Sequence, residues 1–363
     1  MAKFDVSVKQ IAREALPRLI DNLVFPNLVY KETISGTTAK QGDTVSVRCP
    51  AMLMAMEFDE STGIIPESMQ NNTIDVKLDH LATVDMQLSA VEAACDFDSV
   101  VRMFIEPAAA ALAEKINIEG LELYKDIPFY TGTAGTTPDG LDDLAAASLA
   151  LDNQRVPAGM RCAVWSPEAA AKLKQIPAVV NAEKCGSTTA LRTGSIGQVF
   201  GVNHYMSQAV CKHTSGASGN LTPKANSLGT GTIVFNRTGT ETLNKGDILV
   251  ISGMGYVVTE NASTTSDSIT VKVNGNPYVR TTDTVTVIGS HTANLVFHPD
   301  AFAFITRPLQ TPAGVESYVT TYNGISLRVV RGYDIKYKRE ILSMDVLYAF
   351  KTIYPSLAVR YLG

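Results

Sequence analysis

The chain has 363 residues, more than a single domain of roughly 100 to 150 residues, so two or three packed regions are expected. Apolar residues make up 45% of it and charged residues 18%, against roughly 25% charged in ordinary soluble proteins, which implies that other copies cover part of the surface. The formal charge of -5 and a pI near 5.6 exclude a protein that grips nucleic acid through a basic face, because phosphate binding depends on clustered Lys and Arg.

The opening MAKFDVSVKQ carries Asp5 and no apolar secretion core, and no stretch approaches the roughly 18 apolar residues of a membrane span. Neither a signal peptide nor a membrane partner is expected, and the cytosol is the expected compartment. Residues 8–25 place Ile11, Ala15, Leu19, Ile20 and Leu23 at helical spacing, with Pro17 set to kink or interrupt the helix. Residues 26–40 are irregular, and Gly42-Asp43 then opens a strand through Val45 and Val47. Over 73–88 every even position from Ile74 to Met86 is apolar or His80, while the odd positions include Asp75, Asp79 and Asp85. Such alternation predicts one strand with a buried and a wet face, about 50 Å long at roughly 3.3 Å per residue, reaching out as a ribbon. Met52, Met54 and Met56 sit near its far end, where adaptable thioethers suit an interface.

Asp98 is placed to cap a long helix continuing to about Asp126, with Pro107 inside it. A short helix over 139–153, a strand over 162–165, and Ser166-Pro167-Glu168 as N-cap, N1 proline and first-turn acid of a further helix follow. From about 212 to 292 helix signals stop and Ser, Thr, Gly, Asn and Val dominate. Short strands at 232–235, 248–251, 256–258, 269–273 and 285–288, parted by turn signals, predict a small all-β domain inserted into another. Asn323-Gly324 between alternating runs marks a hairpin, with two more strands at 334–337 and 345–352.

Charge is unevenly spread. Between residues 41 and 100 acids face only Arg48 and Lys77, whereas from 318 to 363 Arg328, Arg331, Lys336, Lys338, Arg339, Lys351 and Arg360 face only Asp334, Glu340 and Asp345. Two solvated faces would explain this; so would docking between neighbouring copies, with Asp75, Asp79 and Asp85 on one side and Arg328 and Arg331 on the other.

Catalytic patterns are missing. The sequence has no dinucleotide-binding or Walker glycine motif, no GxSxG elbow and no HExxH helix, and Gly253-Met254-Gly255 reads as a strand-connecting turn. The five histidines show no ligand spacing; His298 with Asp300 could join a hydrolytic site but reads better as part of a turn. Glu57, Asp59 and Glu60 read as a solvated loop. Cys49, Cys95, Cys162, Cys185 and Cys211 are odd in number and form no CxxC pair, which fits reduced structural thiols rather than disulfides or zinc. No cofactor, metal or enzymatic activity is expected.

Several segments resemble, in order, the HK-ninety-seven-type major capsid proteins of tailed bacteriophages. Thr193-Gly194-Ser195-Ile196-Gly197-Gln198-Val199-Phe200-Gly201-Val202 followed by His204-Tyr205-Met206-Ser207 is similar to the family's axial-domain pattern. Leu295-Val296-Phe297-His298-Pro299-Asp300-Ala301-Phe302 resembles the resumption of that domain's sheet, and the ending from Ala349 to Arg360 its closing strand. The resemblance implies an α+β fold with an N-terminal arm (1–40), an extended β-loop with a peripheral strand (41–92), a spine helix (93–127), an axial α/β domain (128–211 and 293–316), an inserted β-domain (212–292) like that of the podovirus P-twenty-two type, and a peripheral β-sheet (317–363). It further implies self-assembly into hexamers and pentamers of an icosahedral virion capsid built in the bacterial cytoplasm. Scaffolding and portal proteins are the implied partners, with packaged double-stranded DNA touched non-specifically. An encapsulin shell enclosing enzymes, a cytosolic hydrolase using His298 and Asp300, and a phage tail or decoration protein are the alternatives; the insertion favours phage over encapsulin.

Overall fold

The structure, a computed structural model, describes residues 7–32, 39–48, 73–88, 101–181, 192–216, 219–236, 242–264, 267–334 and 339–363. The chain divides into two units: Met1–Ile20, Lys31–Leu112 and Ala303–Ile353 form one, and Asp21–Tyr30, Ala113–Phe302 and Tyr354–Gly363 the other.

The first unit is built around the strand Arg339–Thr352, which pairs antiparallel with Ile325–Asp334 and with His80–Leu88. At its start the strand alternates, with Leu342 and Met344 buried; from Asp345 to Ala349 both faces are covered. Phe304, Tyr348 and Phe350 pack ring against ring, with centroids 4.8 Å apart for Phe304–Phe350. Ile325–Asp334 returns antiparallel from Glu316–Tyr322 through the two-residue turn Asn323-Gly324, whose φ values of 51 and 74° are those of the hairpin turn that twists with its strands. The helix Val8–Asn22 continues past Pro17, which forgoes one backbone bond, and buries Ile11, Ala12, Ala15, Leu16 and Leu19 along one stripe.

The single ribbon expected over 73–88 is divided. Thr73–Lys77 pairs with Thr44–Arg48 as a two-stranded ribbon, whereas His80–Leu88 belongs to the large sheet. The change of partner falls at Leu78-Asp79, where the Leu78 amide donates to the Asp43 carbonyl at 2.8 Å and its carbonyl accepts from Gly42. Two residues separate the strands, so the side-chain parity is kept: Val76, Leu78 and Ala82 are all buried. Met52, Met54, Met56 and Asp98 lie outside the described residues.

The helix expected up to Asp126 is a wide π-type turn at Val101–Ile105, an α-helix at Glu106–Leu121 and a tight 3-10 turn at Glu122–Asp126. Pro107 stands at the second α-helical position, directly after the π-type turn.

In the second unit the seven-stranded sheet runs in the order Tyr130–Gly132, Ala358–Leu362, His291–Phe297, Arg161–Trp165, Val202–Met206, Gly197–Val199, with Lys212–His213 paired to His291–Phe297. Leu144, Ala147 and Leu151 of the helix Leu141–Asn153 and Ala169, Ala170 and Leu173 of Pro167–Leu173 pack on it around Trp165. The Ser166 hydroxyl caps the second helix by accepting from the Ala169 amide, as the Ser-Pro-Glu signal predicts. Two boundaries shift from those inferred by resemblance. The strand Phe302–Arg307, placed within 293–316, lies in the six-stranded sheet, and Ala358–Leu362, placed within 317–363, lies in the seven-stranded one. Within the second unit Phe302 and Phe297 flank Phe25 at 5.5 and 5.4 Å.

Among its described residues the inserted segment consists of β-strands and the turns between them. Strands Thr232–Asn236, Ile248–Ile251, Ser268–Lys272 and Val285–Val287 fall within a residue of the expected bounds. Met254–Val257 starts two residues before the expected 256–258, so the turn read at Gly253-Met254-Gly255 is Ser252-Gly253, and Met254 and Gly255 pair with Ile251 and Val250. The strands close over Ile233, Phe235, Leu249, Ile269, Val271 and Val285, a core of the segment's own.

Within the α/β sheet the Trp165 indole donates to His204 Nδ1 at 2.9 Å, which leaves Nε2 as the protonated nitrogen, 3.3 Å from the Val199 carbonyl. A second proton on the ring would break the indole bond, and burial pushes the His204 pKa down to about 4. Because the folded value lies below the ordinary 6.5, the stability that neutral His204 contributes is complete above pH 6.5 and is lost as pH falls toward 4. That loss is expected to reach roughly 3 kcal/mol. Chemical unfolding at pH 7 and pH 4.5 should show a pH dependence flattened by about that amount in His204→Gln.

Candidate functional site

The acids singled out for inter-subunit contact are exposed. Asp75 lies in the two-stranded ribbon, where its carboxylate accepts from the Ser46 hydroxyl at 2.6 Å across the pair Ser46–Asp75. Asp79 stands at the partner change beside His80, whose Nε2 is 3.4 Å from its carboxylate. Asp85 faces Ser343 in the large sheet. Asp75 belongs to one pairing and Asp85 to another, yet all three project at odd positions away from the buried row of Val76, Leu78 and Ala82.

The cations are differently placed. Arg328 reaches Asp345 on the next strand with Nε and Nη2 at 2.9 and 2.5 Å, and its Nη1 donates to the Gln310 carbonyl. Asp345 is only 4% exposed and takes a further bond from the Ser343 hydroxyl. Arg331 pairs with Glu340 at 2.8 Å. Three residues apart on one strand, Arg328 and Arg331 point to opposite faces of the sheet. Each meets an acid of its own chain, and composition alone could not show this because the pairing is cross-strand. Lys336 and Lys338 lie outside the described residues.

The structure brings together residues that sequence spacing left apart. Lys212–His213 and His291–Phe297 are the strands by which the chain enters and leaves the inserted domain, and His213 and His291 are register partners with ring centroids 5.2 Å apart. His213 Nδ1 is 3.0 Å from the Tyr124 hydroxyl and its Nε2 is 2.8 Å from Asp247 Oδ1. Asp247 Oδ2 accepts from the Asn244 and Gly216 amides. Beside them Arg360, with no exposed surface, donates to the carbonyls of Gly246, Tyr124 and Ile127 and stacks over the Tyr124 ring at 4.9 Å. Burial lowers the guanidinium pKa to about 10 and raises that of the Tyr124 phenol to about 12. These groups hold one another.

His298 caps the turn Pro299–Ala301, accepting from the Asp300 amide, as a turn residue does. Burial pushes the thiols of Cys162 and Cys211 up, Cys162 to about 11, which makes them poor nucleophiles at neutral pH. Among the described residues no three His, Cys, Asp or Glu side chains converge as a metal site, and no helix is long and apolar enough to cross a membrane. An open cleft of about 690 Å³ beside Phe129, Tyr130, Met254 and Tyr256 is lined mainly by apolar atoms. There Gly255 is required, since a Cβ would stand 2.4 Å from the Pro128 carbonyl.

Arg328→Ala is expected to cost about 3 kcal/mol, because it leaves Asp345 buried without its cation. Removing both partners should cost less than removing Arg328 alone. Asp75→Asn and Asp85→Asn should move stability by no more than about 0.5 kcal/mol. Urea midpoints of the four variants check all three expectations.

Comparison with known proteins follows this geometry. No protein-family model matches the sequence, and no curated protein does. Solved structures do. A chain of Mycobacterium phage Che8 superposes with a TM-score of 0.50 at 15% identity, covering 93% of this chain and 90% of that one. The capsid structure of the cyanophage P-SCSP1u gives 0.47 at 14% identity over 94% and 88%. The virus-like particle of Pyrococcus furiosus gives 0.43 at 9% over 97% and 98%. Along nearly its whole length, the chain has the α+β fold of the phage Che8 protein, the HK-ninety-seven-type fold that its sequence resembles.

Proposed function

We propose that this chain is the major capsid protein of a tailed bacteriophage, a structural subunit whose copies form hexamers and pentamers and close into an icosahedral shell around double-stranded DNA. The observation that carries the reading is the fold shared with the phage Che8 chain over 93% of the residues, which leaves no large part of the chain over for a separate activity. The surface supports it. Leu149, Met160, Phe200, Met254 and Tyr278 are each more than half exposed, and the Ser148 hydroxyl donates to the Phe200 carbonyl. In a shell, exposed apolar side chains of this kind would be covered by neighbouring copies. The resemblance supplies the finer parts of the reading: scaffolding and portal proteins as partners, non-specific contact with the packaged DNA, and assembly in the bacterial cytoplasm. With a net charge of -5, DNA is contained by the shell rather than gripped by it.

In this reading the work of the protein is geometric. The ribbon of Thr44–Arg48 and Thr73–Lys77 carries exposed Asp75 to a neighbouring copy, and Asp79 and Asp85 extend the acidic row. Arg328 and Arg331, engaged within their own chain, serve the sheet first.

Negative-stain electron microscopy and size-exclusion light scattering, on the protein alone and with its scaffold, test the proposal. Closed shells, or capsomers that close when scaffold is added, are expected; a monomer that never assembles overturns it, and shells loaded with enzyme and free of DNA would favour the encapsulin reading. If the acidic row docks, Asp75→Asn, Asp79→Asn and Asp85→Asn together should lower assembly yield, more at low salt than at high. Equal yields at both salts would remove those acids from the interface.

A further inference from the structure

The junction of the inserted domain is built from buried groups that can change charge, and one of them has nowhere to put a second proton. His213 is bonded on both ring nitrogens, to the Tyr124 hydroxyl and to the Asp247 carboxylate. If it gains a proton, Nδ1 donates to the Tyr124 oxygen in place of accepting, and Asp247 remains beside it as counter-charge. His291 differs. Its Nδ1 donates to the Gly289 carbonyl at 2.8 Å, and its Nε2 is buried with no hydrogen-bond partner. A proton on Nε2 would be a buried donor without an acceptor, which is costly. It would also create a cation next to His213 and Arg360, with Asp247 as the balancing acid. Around the same network Tyr124 stands under Arg360, while Cys211, Glu122, Lys125 and Asp126 bear on its members from the adjoining segments.

The position of the histidines gives this a structural consequence. His213 and His291 face each other on the paired strands through which the chain enters and leaves the insertion. Asp247 and the Gly246 carbonyl belong to the insertion's own turn, whereas Tyr124 and Arg360 belong to the α/β domain. Beyond this network the attachment includes a small apolar cluster of Ile248, Val257 and Leu362, while the insertion keeps its separate core. Weakening the junction would therefore free a domain that stays folded.

We propose that the Tyr124–His213–Asp247–Arg360 network with His291 is an acid-releasable latch: protonation of His291 loosens the inserted β-domain from the α/β sheet while both remain folded. Burial holds the His291 pKa down near 4, so the latch is closed at neutral pH and opens as pH falls below the ordinary histidine value toward 4. The inference does not depend on the capsid reading, since it concerns one subunit and is tested on one.

The test is hydrogen exchange of the purified full chain at pH 7 and pH 4.5, corrected for intrinsic rates. Amides of the junction pairing, Lys212 and His213 with His291 and Thr292, should lose protection at least tenfold, while those of the insertion core around Ser268–Lys272 keep theirs. The junction loss should also exceed that of Arg161–Trp165, whose protection follows His204. In His291→Phe, which fills the same space and cannot be protonated, the junction loss should fall below twofold. His291→Asn, which keeps a donor for the Gly289 carbonyl, serves if the phenylalanine variant does not fold. Junction protection that is the same at both pH values, or that is lost in step with the insertion core, would overturn the proposal. So would a full loss persisting in the His291 variant.

Discussion

A guanidinium shut away from water needs partners, and Arg360 finds them chiefly in backbone, although its Nε meets none. Its Nη1 and Nη2 donate to carbonyls of Gly246, Tyr124 and Ile127, so the final strand fixes both the segment after the long helix and the turn at the base of the insertion. Taking an unpaired charge out of water costs several kcal/mol. That cost is offset here only if the three segments converge with Asp247 and the Tyr124 ring beside them. The position of the inserted domain thus rests on a side chain more than a hundred residues away, in the strand Ala358–Leu362.

The same logic of non-local matching governs the peripheral sheet. Asp345 sits at the point where the strand Arg339–Thr352 passes from one covered face to two, and Arg328 with Ser343 keeps its carboxylate satisfied there. A charge that appears in the sequence as part of a basic C-terminal bias is therefore a structural counter-ion. The acids of residues 73–88 remain exposed, because the strand that carries them keeps its polar parity through the change of partner at Leu78-Asp79.

In the proposed role of a shell subunit these arrangements would have a common use. Capsid assembly asks each copy to present the same surfaces in the same relation many times over, and small angular errors accumulate around a closed shell. Buried polar networks are suited to that demand, since they tolerate few alternative geometries, whereas apolar contact alone allows sliding. Arg360 with Asp247 and Trp165 with His204 act in this sense, each joining segments distant in sequence.

Much of the local structure was legible in the residues. The alternation of 232–236, 248–251 and 268–272, the cap at Ser166 and the Asn323-Gly324 hairpin are set by neighbours a few positions apart, and they stand where pattern and turn chemistry place them. Of the candidate site, the exposure of Asp75, Asp79 and Asp85 was readable from parity, but the partners of Arg328 and Arg331 were not. Tertiary structure alone decided that 73–88 serves two sheets, that Phe302–Arg307 and Ala358–Leu362 exchange the sheets their order suggested, and that His213 meets His291. In each case the deciding contact lies between strands far apart in the chain, and side-chain period fixes which face a residue shows without fixing which strand lies against it.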